Sequence, residues 1–388
     1  MRLALVTHKV DLQDGQGRVN YEIATELLAQ GHSVTVIAEA CSPEIASHRN
    51  GSFVCMREHT LPTQLLRNLY FAFRSGRWVR AHRDEFDLVQ ANGFVMWEPA
   101  DVVAVHYVHS AWLKNKFFPF RWGSLSPYAY YQRVLAILNA RFEMGAFRQA
   151  RVLVAVSEGT AREVVDLGVD RSRVRVVYNG VDLRQFHPGP EERDSFGLPS
   201  GVTLALFAGD IRTPRKNLDT ALRALSAVED LHLVVAGQVD GSPYPALAKL
   251  LGVVDRAHFI GLTHRMPALM RSVDFFIMPS RYESFGMVVI EGMATGIPVI
   301  LSSKVGAVEI AGATSLVLDE PDNVNGLSLA LRKMMIGGAG VKSMAKAGRI
   351  RALAFDWAQT TSGYLDVYKE LLNTSKPVDF DMSAKAQQ

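Results

Sequence analysis

The feature that most constrains the fold of this chain is a repeated alternation of short apolar runs with segments of helical spacing. The run RLALVT (2–7) is followed by a helical pattern over 19–31, VNYEIATELLAQG, and then by a second run, SVTVIA (33–38). Short apolar runs rich in Val, Ile and Leu are typical of buried strands, whereas apolar positions three or four apart indicate helices. Strand, helix and strand in this order predict a parallel α/β sheet.

The alternation runs through the chain in two series, separated by a segment dense in glycine and proline. Further strands of the first series are predicted at 87–91, 102–106, 151–157 and 173–179. The separating segment, NGVDLRQFHPGPEERDSFGLPSG (179–201), is typical of a linker. Strands of the second series are predicted at 203–209, 231–237, 258–261, 274–280 and 297–301. The sequence therefore predicts two doubly wound α/β domains, with ligands bound at the carboxyl ends of their strands.

Composition excludes several classes of function. The formal net charge of +3 is too small to indicate a nucleic-acid partner. The two cysteines, Cys41 and Cys55, form no CxxC pair and have no metal-ligand spacing, which favours a reduced, cytoplasmic compartment. No run of about 18 apolar residues is present, so the sequence predicts no membrane-spanning helix.

A glycine-containing loop, DGQGRVN (14–20), is predicted between the first strand and the first helix. Gly15 and Gly17 allow a ligand to approach the backbone closely, and the following helix N-terminus offers free N–H groups to a phosphate. The loop is similar to the dinucleotide fingerprint GxGxxG, but Asn20 stands at its last position. Together with Glu39 at the end of the second strand, this pattern keeps an NAD-dependent oxidoreductase open as an alternative. A second alternative is that the segment is only a flexible connection, in which the two glycines have no binding role.

Cationic side chains follow the first strand of the second series, in FAGDIRTPRKNL. Arg212, Arg215 and Lys216 stand just before a predicted helix. Cations beside a helix N-terminus form a site for a diphosphate. A solvated basic turn would have the same composition.

Two histidines stand at and beyond the end of the strand VVAVH. An imidazole at the carboxyl end of a strand, such as that of His106, is placed to orient an acceptor or to take a proton. His109 follows three residues later. A structural role is the alternative for either residue, and two histidines without a third ligand do not indicate zinc.

Two carboxylates stand eight residues apart in the mostly apolar segment RYESFGMVVIEGMATGIPVI (281–300). Buried carboxylates are costly unless they are paired or hydrogen-bonded, so Glu283 and Glu291 need partners. Gly286 permits a turn, and a helix is predicted from Met287. Two residues eight apart on a regular helix would lie about 80° apart, which lets both contact one elongated ligand. A helix cap at Glu283 and a salt bridge at Glu291 would equally account for them.

In order along the chain, these segments resemble family 4 (group 1) retaining glycosyltransferases. Glu283 and Glu291 match the E-x7-E signature of that family, and NGVDLRQFHP (179–188) is similar to its inter-domain motif NGVDxxxFxP. AVSEGTAREV and the glycine loop followed by LLAQGHSVTVIA are also similar, so the ordered matches cover about residues 1–360. The resemblance implies an α/β fold of the GT-B type. Such a fold has two facing Rossmann-like domains with doubly wound parallel sheets and a C-terminal helix that crosses back to the first domain.

The resemblance also implies a division of the chain and a reaction. An acceptor-binding domain would span 1–183 and a nucleotide-sugar donor-binding domain 184–355, followed by the crossing helix at 356–373. The polar composition of residues 374–388 predicts a flexible tail. The implied reaction is retaining transfer of a sugar from a nucleotide-diphosphate sugar, a UDP- or GDP-sugar, to a hydroxyl of a glycan or glycolipid. No metal and no cofactor is implied. A GT-B nucleotide-sugar epimerase is a further alternative.

Site residues carry over from the family motifs position by position. Lys216 is expected to hold the diphosphate, Glu283 the sugar hydroxyls and Glu291 the ribose, while His106 is expected beside the donor sugar and the acceptor. His106, Lys216 and Glu283 are the candidate catalytic residues, and His109 is a candidate on the acceptor side. The remaining donor contacts are expected from Gly15, Gly17, Arg212 and the backbone of Ser284, Phe285, Gly286, Met287 and Val288.

One position departs from the family pattern. Many members have an arginine directly after the glycine that corresponds to Gly209, and this chain has Asp210 there. Arg212 is expected to supply the missing charge.

Basic and aromatic residues are combined in the part of the chain expected to bind the acceptor. Residues 64–83 hold five arginines and no acid, and residues 111–151 interleave seven basic side chains with aromatic ones such as Trp112 and Trp122. This combination suits an anionic membrane surface. It predicts a lipid-linked or lipopolysaccharide-type acceptor and a peripheral position at the inner face of the membrane. Core aromatics beside a solvated basic face are the alternative.

Overall fold

The structure, a computed structural model, describes residues 1–12, 15–58, 60–120, 122–123 and 126–374. The chain divides into two compact units. The first comprises Met1–Val103, Gln149–Val152 and the chain from Thr361 onward, and the second comprises Ala104–Arg148 and Leu153–Thr360. These bounds differ from those of the predicted domains 1–183 and 184–355, which stay a prediction. The predicted tail lies outside the described residues, apart from Thr374 at the end of the last helix.

The strands of the N-terminal half form one large parallel sheet and one small one. They are β1 (Arg2–Val6), β2 (Lys9–Val10), β3 (Ser33–Ala38), β4 (Ala40–Cys41), β5 (Gly51–Cys55), β6 (Leu88–Asn92), β7 (Val102–Val105), β8 (Val152–Ala155) and β9 (Val174–Val176). The large sheet has the order β5-β3-β1-β6-β7-β8-β9, and β2 pairs with β4. Central strand β1 lies parallel to both β3 and β6, with Leu3 opposite Val34 on one side and Leu88 on the other.

The strands of the C-terminal half form a second parallel sheet. They are β10 (Thr203–Ala208), β11 (Leu231–Ala236), β12 (Ala257–Gly261), β13 (Phe275–Met278), β14 (Val299–Ser302) and β15 (Leu316–Leu318), in the order β12-β11-β10-β13-β14-β15. Successive residues of β10 face two different apolar cores, Leu206 in one and Phe207 in the other. Burial on both faces explains why these strands are continuous apolar runs. The strand order reverses beside the first strand of each sheet, so the doubly wound prediction is confirmed for both.

Helices connect the strands. They are α1 (Gly15–Ala29), α2 (Pro43–Ala46), α3 (Gln64–Ala81), α4 (His109–Lys114), α5 (Pro127–Gln149), α6 (Glu158–Asp166), α7 (Leu218–Ser226), α8 (Tyr244–Leu250), α9 (Met266–Arg271), α10 (Met287–Thr295), α11 (Val308–Ala311), α12 (Val324–Ile336), α13 (Gly338–Ala352) and α14 (Trp357–Thr374). Residues of α14 from Thr361 onward belong to the first unit. There Tyr368 donates a hydrogen bond to the Gln90 side chain, which is buried in β6.

Two sequence-based expectations differ from the structure near the N-terminus. The glycine loop is not a loop, because α1 begins at Gly15 and places Gly15 and Gly17 in its first turn. The residues directly after β1 instead form β2, which pairs with β4. Edge strand β5, with the sequence GSFVC, was not predicted because it is only half-buried and has no continuous apolar run.

The predicted linker is ordered and packed. The backbone N–H of Val181 donates to the carbonyl of Phe355, and Phe186 and Leu198 are buried in a core of the second unit. Gly180 lies so close to Asp356 that a Cβ at this position would stand 2.7 Å from the Asp356 carbonyl. A glycine is therefore required here by close backbone contact.

We expect Gly180→Ala to lower the free energy of unfolding by about 1–3 kcal/mol, because overpacking against backbone forces the chain to shift. Gly145→Ala is the matched control, since a Cβ at Gly145 meets no atom within 4 Å. Because Gly145 lies inside α5, in its C-terminal part, Gly145→Ala is expected to stabilise the protein by about 0.5–1 kcal/mol. Urea unfolding of both variants measures the difference, and equal stabilities would contradict the close contact.

Candidate active site

The strongest cluster of functional side chains lies where the order of the second sheet reverses. Strands β10 and β13 are neighbours in that sheet, and each ends in a loop at the same edge. Lys216 stands in the loop after β10, and Glu283 in the loop after β13. Ligands of doubly wound sheets bind at this point, because the connections on its two sides lead to opposite faces and leave a crevice.

Two cations share one carboxylate oxygen in this cluster. The Nζ of Lys216 and the Nη1 of Arg215 both contact Oε2 of Glu283, the latter at 3.0 Å. The three side chains are largely buried, with exposed fractions of 10% for Lys216, 23% for Arg215 and 16% for Glu283. The cluster thus holds one more positive than negative charge in a mostly dry place.

Burial and the neighbouring charges act in opposite directions on these groups. Burial alone would raise the pKa of Glu283, but the charges of Lys216 and Arg215 outweigh it and hold this pKa below its usual value. Burial lowers the pKa of Lys216, and the attraction of Glu283 only partly opposes that. Glu283 is therefore an ionised carboxylate, which accepts hydrogen bonds from several donors.

The loop after β10 is shaped around Lys216. Gly209 has a φ of +147°, and a Cβ there would lie 3.1 Å from Cε of Lys216, so the lysine side chain passes directly over the glycine. Asn217 has the left-handed φ of 65°, and its buried amide donates to the carbonyls of Pro279 at 2.9 Å and Pro321 at 2.7 Å. This side chain ties the loop after β10 to the end of the β13 segment.

Arg281 connects the same two loops through its guanidinium. It is 7% exposed and forms ion pairs with Asp219 and Asp322 at 2.8 and 2.7 Å. It also donates to the carbonyl of Pro214 at 2.9 Å, while its backbone N–H donates to the carbonyl of Arg215 at 2.9 Å. The position of Lys216 relative to Glu283 is therefore set by several charge-assisted contacts.

The backbone between Glu283 and α10 is held by its carbonyls. Those of Glu283 and Phe285 accept from Gly306 and Ala307, and that of Ser284 accepts from the Ser157 hydroxyl at 2.8 Å. The first N–H groups of α10 have no acceptor within the helix. Ser284 and Phe285 are buried residues, with 6% and 3% of their surface exposed.

Gly286 makes the turn into α10. It has the left-handed φ of 94°, and a Cβ there would lie 2.8 Å from a methyl group of Val305. Met287 and Val288 begin the helix, as predicted, and Glu291 lies half-buried in its second turn. Glu283 precedes the helix and forms a bridge with Val305. The angle of about 80° expected for a shared helix therefore does not describe this pair.

The two predicted histidines have different surroundings. His106 directly follows β7 and is half-buried. His109 begins α4, and its Nδ1 lies 3.0 Å from Oε1 of Glu143, whose other oxygen accepts the His109 backbone N–H at 2.9 Å. Glu143 is 2% exposed. It therefore caps α4 and orients His109, a structural role that the sequence alternative had included.

The expectation that Arg212 supplies the charge missing at Asp210 stays a prediction, and the structure gives Arg212 and Arg215 different surroundings. Arg212 is 49% exposed and is paired with Asp210 itself at 3.1 Å. Arg215 is the arginine that contacts Glu283 beside Lys216. The sequence places Arg215 among the cations of this loop but does not single it out. Its position directly before the lysine was the available signal.

Residues outside the predicted set complete the surroundings. The ring of Tyr107 lies 6.0 Å from the Arg215 guanidinium and packs edge-on against the rings of His109 and Tyr282. Among the described residues, no group of three or more His, Cys, Asp or Glu side chains is arranged to hold a metal ion. Gly15 and Gly17 belong to the first unit, and their expected contact with a donor stays a prediction.

Known sequences and structures share this arrangement of segments. Residues 13–185 match Glycosyltransferase Family 4, and residues 189–351 match Glycosyl transferases group 1. D-inositol 3-phosphate glycosyltransferase from Mycobacterium bovis (strain BCG / Pasteur 1173P2) is 30% identical over 352 residues, which are 83% of this chain and 69% of the relative. The chain belongs to glycosyltransferase family 4. Enzymes of this family depend on nucleotide sugars, so a nucleotide-sugar substrate is confirmed and an NAD-dependent oxidoreductase is set aside.

Solved structures, one of them of a glycosyltransferase, have the same fold. WaaG, a glycosyltransferase involved in lipopolysaccharide biosynthesis, has a TM-score of 0.76 at 21% identity and covers 94% of this chain and 99% of its own. HepE from Anabaena in complex with UDP and glucose has a TM-score of 0.72 at 18% identity, with 95% and 99% covered. The predicted GT-B fold class is thereby confirmed.

We expect Arg215→Ala to weaken the affinity for UDP or GDP about tenfold or more, because a buried charge-assisted contact contributes about 1.5–3 kcal/mol. Arg212→Ala is the matched control. Its exposed ion pair is worth about 0–1 kcal/mol, so less than about fivefold should be lost. Isothermal titration of both variants measures the two effects, and a larger loss from Arg212→Ala would restore the original expectation.

Proposed function

We propose that this family 4 enzyme is a retaining, metal-independent glycosyltransferase that moves a sugar from a UDP- or GDP-sugar to a hydroxyl of a glycan or glycolipid. The observation that carries the proposal is the buried cluster of Lys216, Arg215 and Glu283 at the switch point of the second sheet. A nucleotide sugar has anionic phosphates beside sugar hydroxyls. A cation pair adjoining an ionised carboxylate is complementary to both parts.

Each proposed role follows from the chemistry of the group. Lys216 and Arg215 bind the diphosphate, and Glu283 accepts hydrogen bonds from sugar hydroxyls. The backbone N–H groups from Ser284 to Val288, at the positive end of α10, face phosphate and sugar. Glu291, one turn farther along, accepts from the ribose hydroxyls.

The cluster suits a front-side substitution. The bond between the anomeric carbon and the β-phosphate oxygen breaks, and the acceptor oxygen bonds to the same face of that carbon, which retains the configuration. The acceptor proton passes to the leaving phosphate oxygen. Lys216 and Arg215 stabilise the charge that develops on the nucleoside diphosphate, since preorganised cations lower the barrier where charge appears.

The residues of the predicted acceptor side complete the proposal. His106, at the carboxyl end of β7, is proposed to contact the donor sugar and the acceptor. Gly15 and Gly17, in the first turn of α1, are proposed as further donor contacts. Glu143 holds His109 in a fixed orientation, so any acceptor contact of His109 would come from Nε2.

Lys216→Ala and Glu283→Ala are each expected to reduce turnover at least about tenfold, since each removes a charge-assisted contact. Release of nucleoside diphosphate from UDP- or GDP-glucose, with a bacterial glycolipid extract as acceptor, measures this. Lys333→Ala, an exposed residue of α12, is the control for loss of a lysine. Near-normal turnover in both variants would contradict these roles. Formation of an epimer without acceptor would favour the epimerase alternative.

The nucleotide is open to a direct test with the unmodified protein. HepE binds UDP together with glucose, and a UDP-sugar is therefore the first donor to try, followed by a GDP-sugar. A ligand at 100 times its dissociation constant stabilises a protein by about 2.7 kcal/mol. A thermal-shift series with both nucleotide classes identifies the base.

Helix α3 supports the proposed anionic membrane surface. Phe73 is 58% exposed, and Arg74, Arg77 and Arg80 are exposed on the same helix. Two cavities of about 490 and 540 Å³ lie beside it, and Phe73 and Arg77 line both. No helix within the described residues has the length and apolar character needed to cross a bilayer. An aromatic side chain among arginines suits the interface of an anionic bilayer instead.

Arg74→Glu together with Arg77→Glu is expected to abolish co-sedimentation with phosphatidylglycerol vesicles at low salt, because each basic residue near such a surface contributes about 1 kcal/mol. Arg223→Glu with Lys249→Glu, two exposed positions in the second unit, is the charge-matched control. Failure of the unmodified protein to bind would remove the membrane from the proposal. Equal loss in both double variants would show that only net charge matters.

A further inference from the structure

Tyr282, directly before Glu283, contacts a part of the second unit that is different from the one that Glu283 contacts. It is 7% exposed, and its hydroxyl donates to Oε2 of Glu163 in α6 at 2.9 Å. The hydroxyl oxygen of Tyr282 accepts a hydrogen bond from the backbone N–H of Val108 at 3.3 Å. Its ring packs edge-on against Tyr107 and nearly parallel to Trp112. Both the ring and the hydroxyl are therefore fixed.

Three consecutive side chains anchor this loop in three directions. Arg281 is bound to Asp219 and Asp322, and Glu283 to Lys216 and Arg215, as described above. Tyr282 lies between them and is the member of the three that reaches the segment from Val105 to α4 and helix α6. The direction of the Glu283 carboxylate depends on the backbone that all three hold.

Glu163 is the titratable partner in this arrangement. Burial raises its pKa to about 7; the hydrogen bond from Tyr282 opposes this, and the charges of Glu143 and Asp166 add to it. The titratable groups that face it are Tyr282 from the donor loop, Tyr107 after β7, Glu143 from α5 and Asp166 from its own helix. Glu163 and Tyr282 both line a cavity of about 500 Å³, which lets Glu163 exchange its proton with solvent.

We propose that Tyr282 is a positioning residue of the donor site, whose hydroxyl, held by ionised Glu163 and by Val108, keeps Glu283 against Lys216 and Arg215. This inference rests on the proposed function, in which Glu283 binds the donor sugar. An ionised carboxylate accepts a charge-assisted hydrogen bond, about twice as strong as one to a neutral group. Donor affinity therefore rises as Glu163 ionises.

The test measures the dissociation constant of UDP-glucose, or of GDP-glucose if the first does not bind, between pH 5.5 and 8.5. A nucleotide sugar has no terminal phosphate, so the second phosphate pKa of about 6 does not interfere. The unmodified enzyme should bind about three to ten times more tightly at pH 8 than at pH 6. This step should disappear in Glu163→Gln and in Tyr282→Phe, and Tyr282→Phe should bind weakly at every pH.

Two controls separate positioning from simple loss of structure. Tyr364→Phe removes another buried tyrosine hydroxyl, one with no hydrogen-bond partner among the described residues, and should leave affinity and pH profile unchanged. A pH step that comes from His106 or His109 would persist in Glu163→Gln and would overturn the role of Glu163. Unchanged affinity in Tyr282→Phe, with a binding-competent unmodified enzyme, would overturn this inference alone. No binding of either nucleotide sugar would overturn the proposed function and the inference with it.

Stability provides a second measurement that needs no ligand. Because the folded-state pKa of Glu163 lies above its unfolded value, the native state holds more protons between about pH 4.5 and 7. The contribution of Glu163 to the free energy of unfolding is present below its unfolded pKa and is lost as pH rises through 7. The difference in the free energy of unfolding between Glu163→Gln and the unmodified protein, measured with urea at each pH, should therefore favour the variant more at pH 8 than at pH 5. The same difference at both pH values would contradict a raised pKa at Glu163.

Discussion

The buried contact of Lys216 and Arg215 with Glu283 is the interaction on which the rest of the candidate site depends. Ions removed from water lose solvation that only close opposite charges and hydrogen bonds restore, so any one of these groups alone would be costly here. In the proposed function, the excess positive charge of the cluster binds the diphosphate. The carboxylate neutralises part of that charge and, in the same proposal, accepts hydrogen bonds from sugar hydroxyls.

The surrounding residues hold these charged side chains at the point where the strand order of the second sheet reverses. Gly209 leaves room for the lysine chain, and Asn217 and Arg281 tie the two loops together. The carbonyls of Glu283, Ser284 and Phe285 all accept hydrogen bonds, which fixes the backbone that leads into α10. Tyr282 connects the loop of Glu283 to the segment after β7, where His106 lies. A site of this kind is preorganised, and preorganised charges act without reorganisation during the reaction.

Much of this could be predicted from sequence, and the omissions have physical reasons. Most strands of both sheets are recognisable because burial on both faces requires continuous apolar residues. Edge strand β15 is not, since only one of its three residues is buried. Strand β5 was missed because its residues are only half-buried. Glu283, Lys216 and Gly286 were found through their motifs. Arg215 was passed over in favour of Arg212, because spacing along a loop does not show which of two neighbouring cations turns inward.

The sequence by itself determined the two parallel-sheet series, the family and the segments that carry the site, because periodicity and motif order are local properties of the chain. Only the tertiary structure decided which side chains meet. Glu163 and Tyr282 are 119 positions apart, and Arg215 and Glu283 are 68 apart. Contacts over such separations are created by strand order and loop conformation, so no local pattern records them. The pKa of Glu163 likewise depends first on burial and then on Tyr282 and Glu143, which come from other elements, as well as on Asp166 in its own helix.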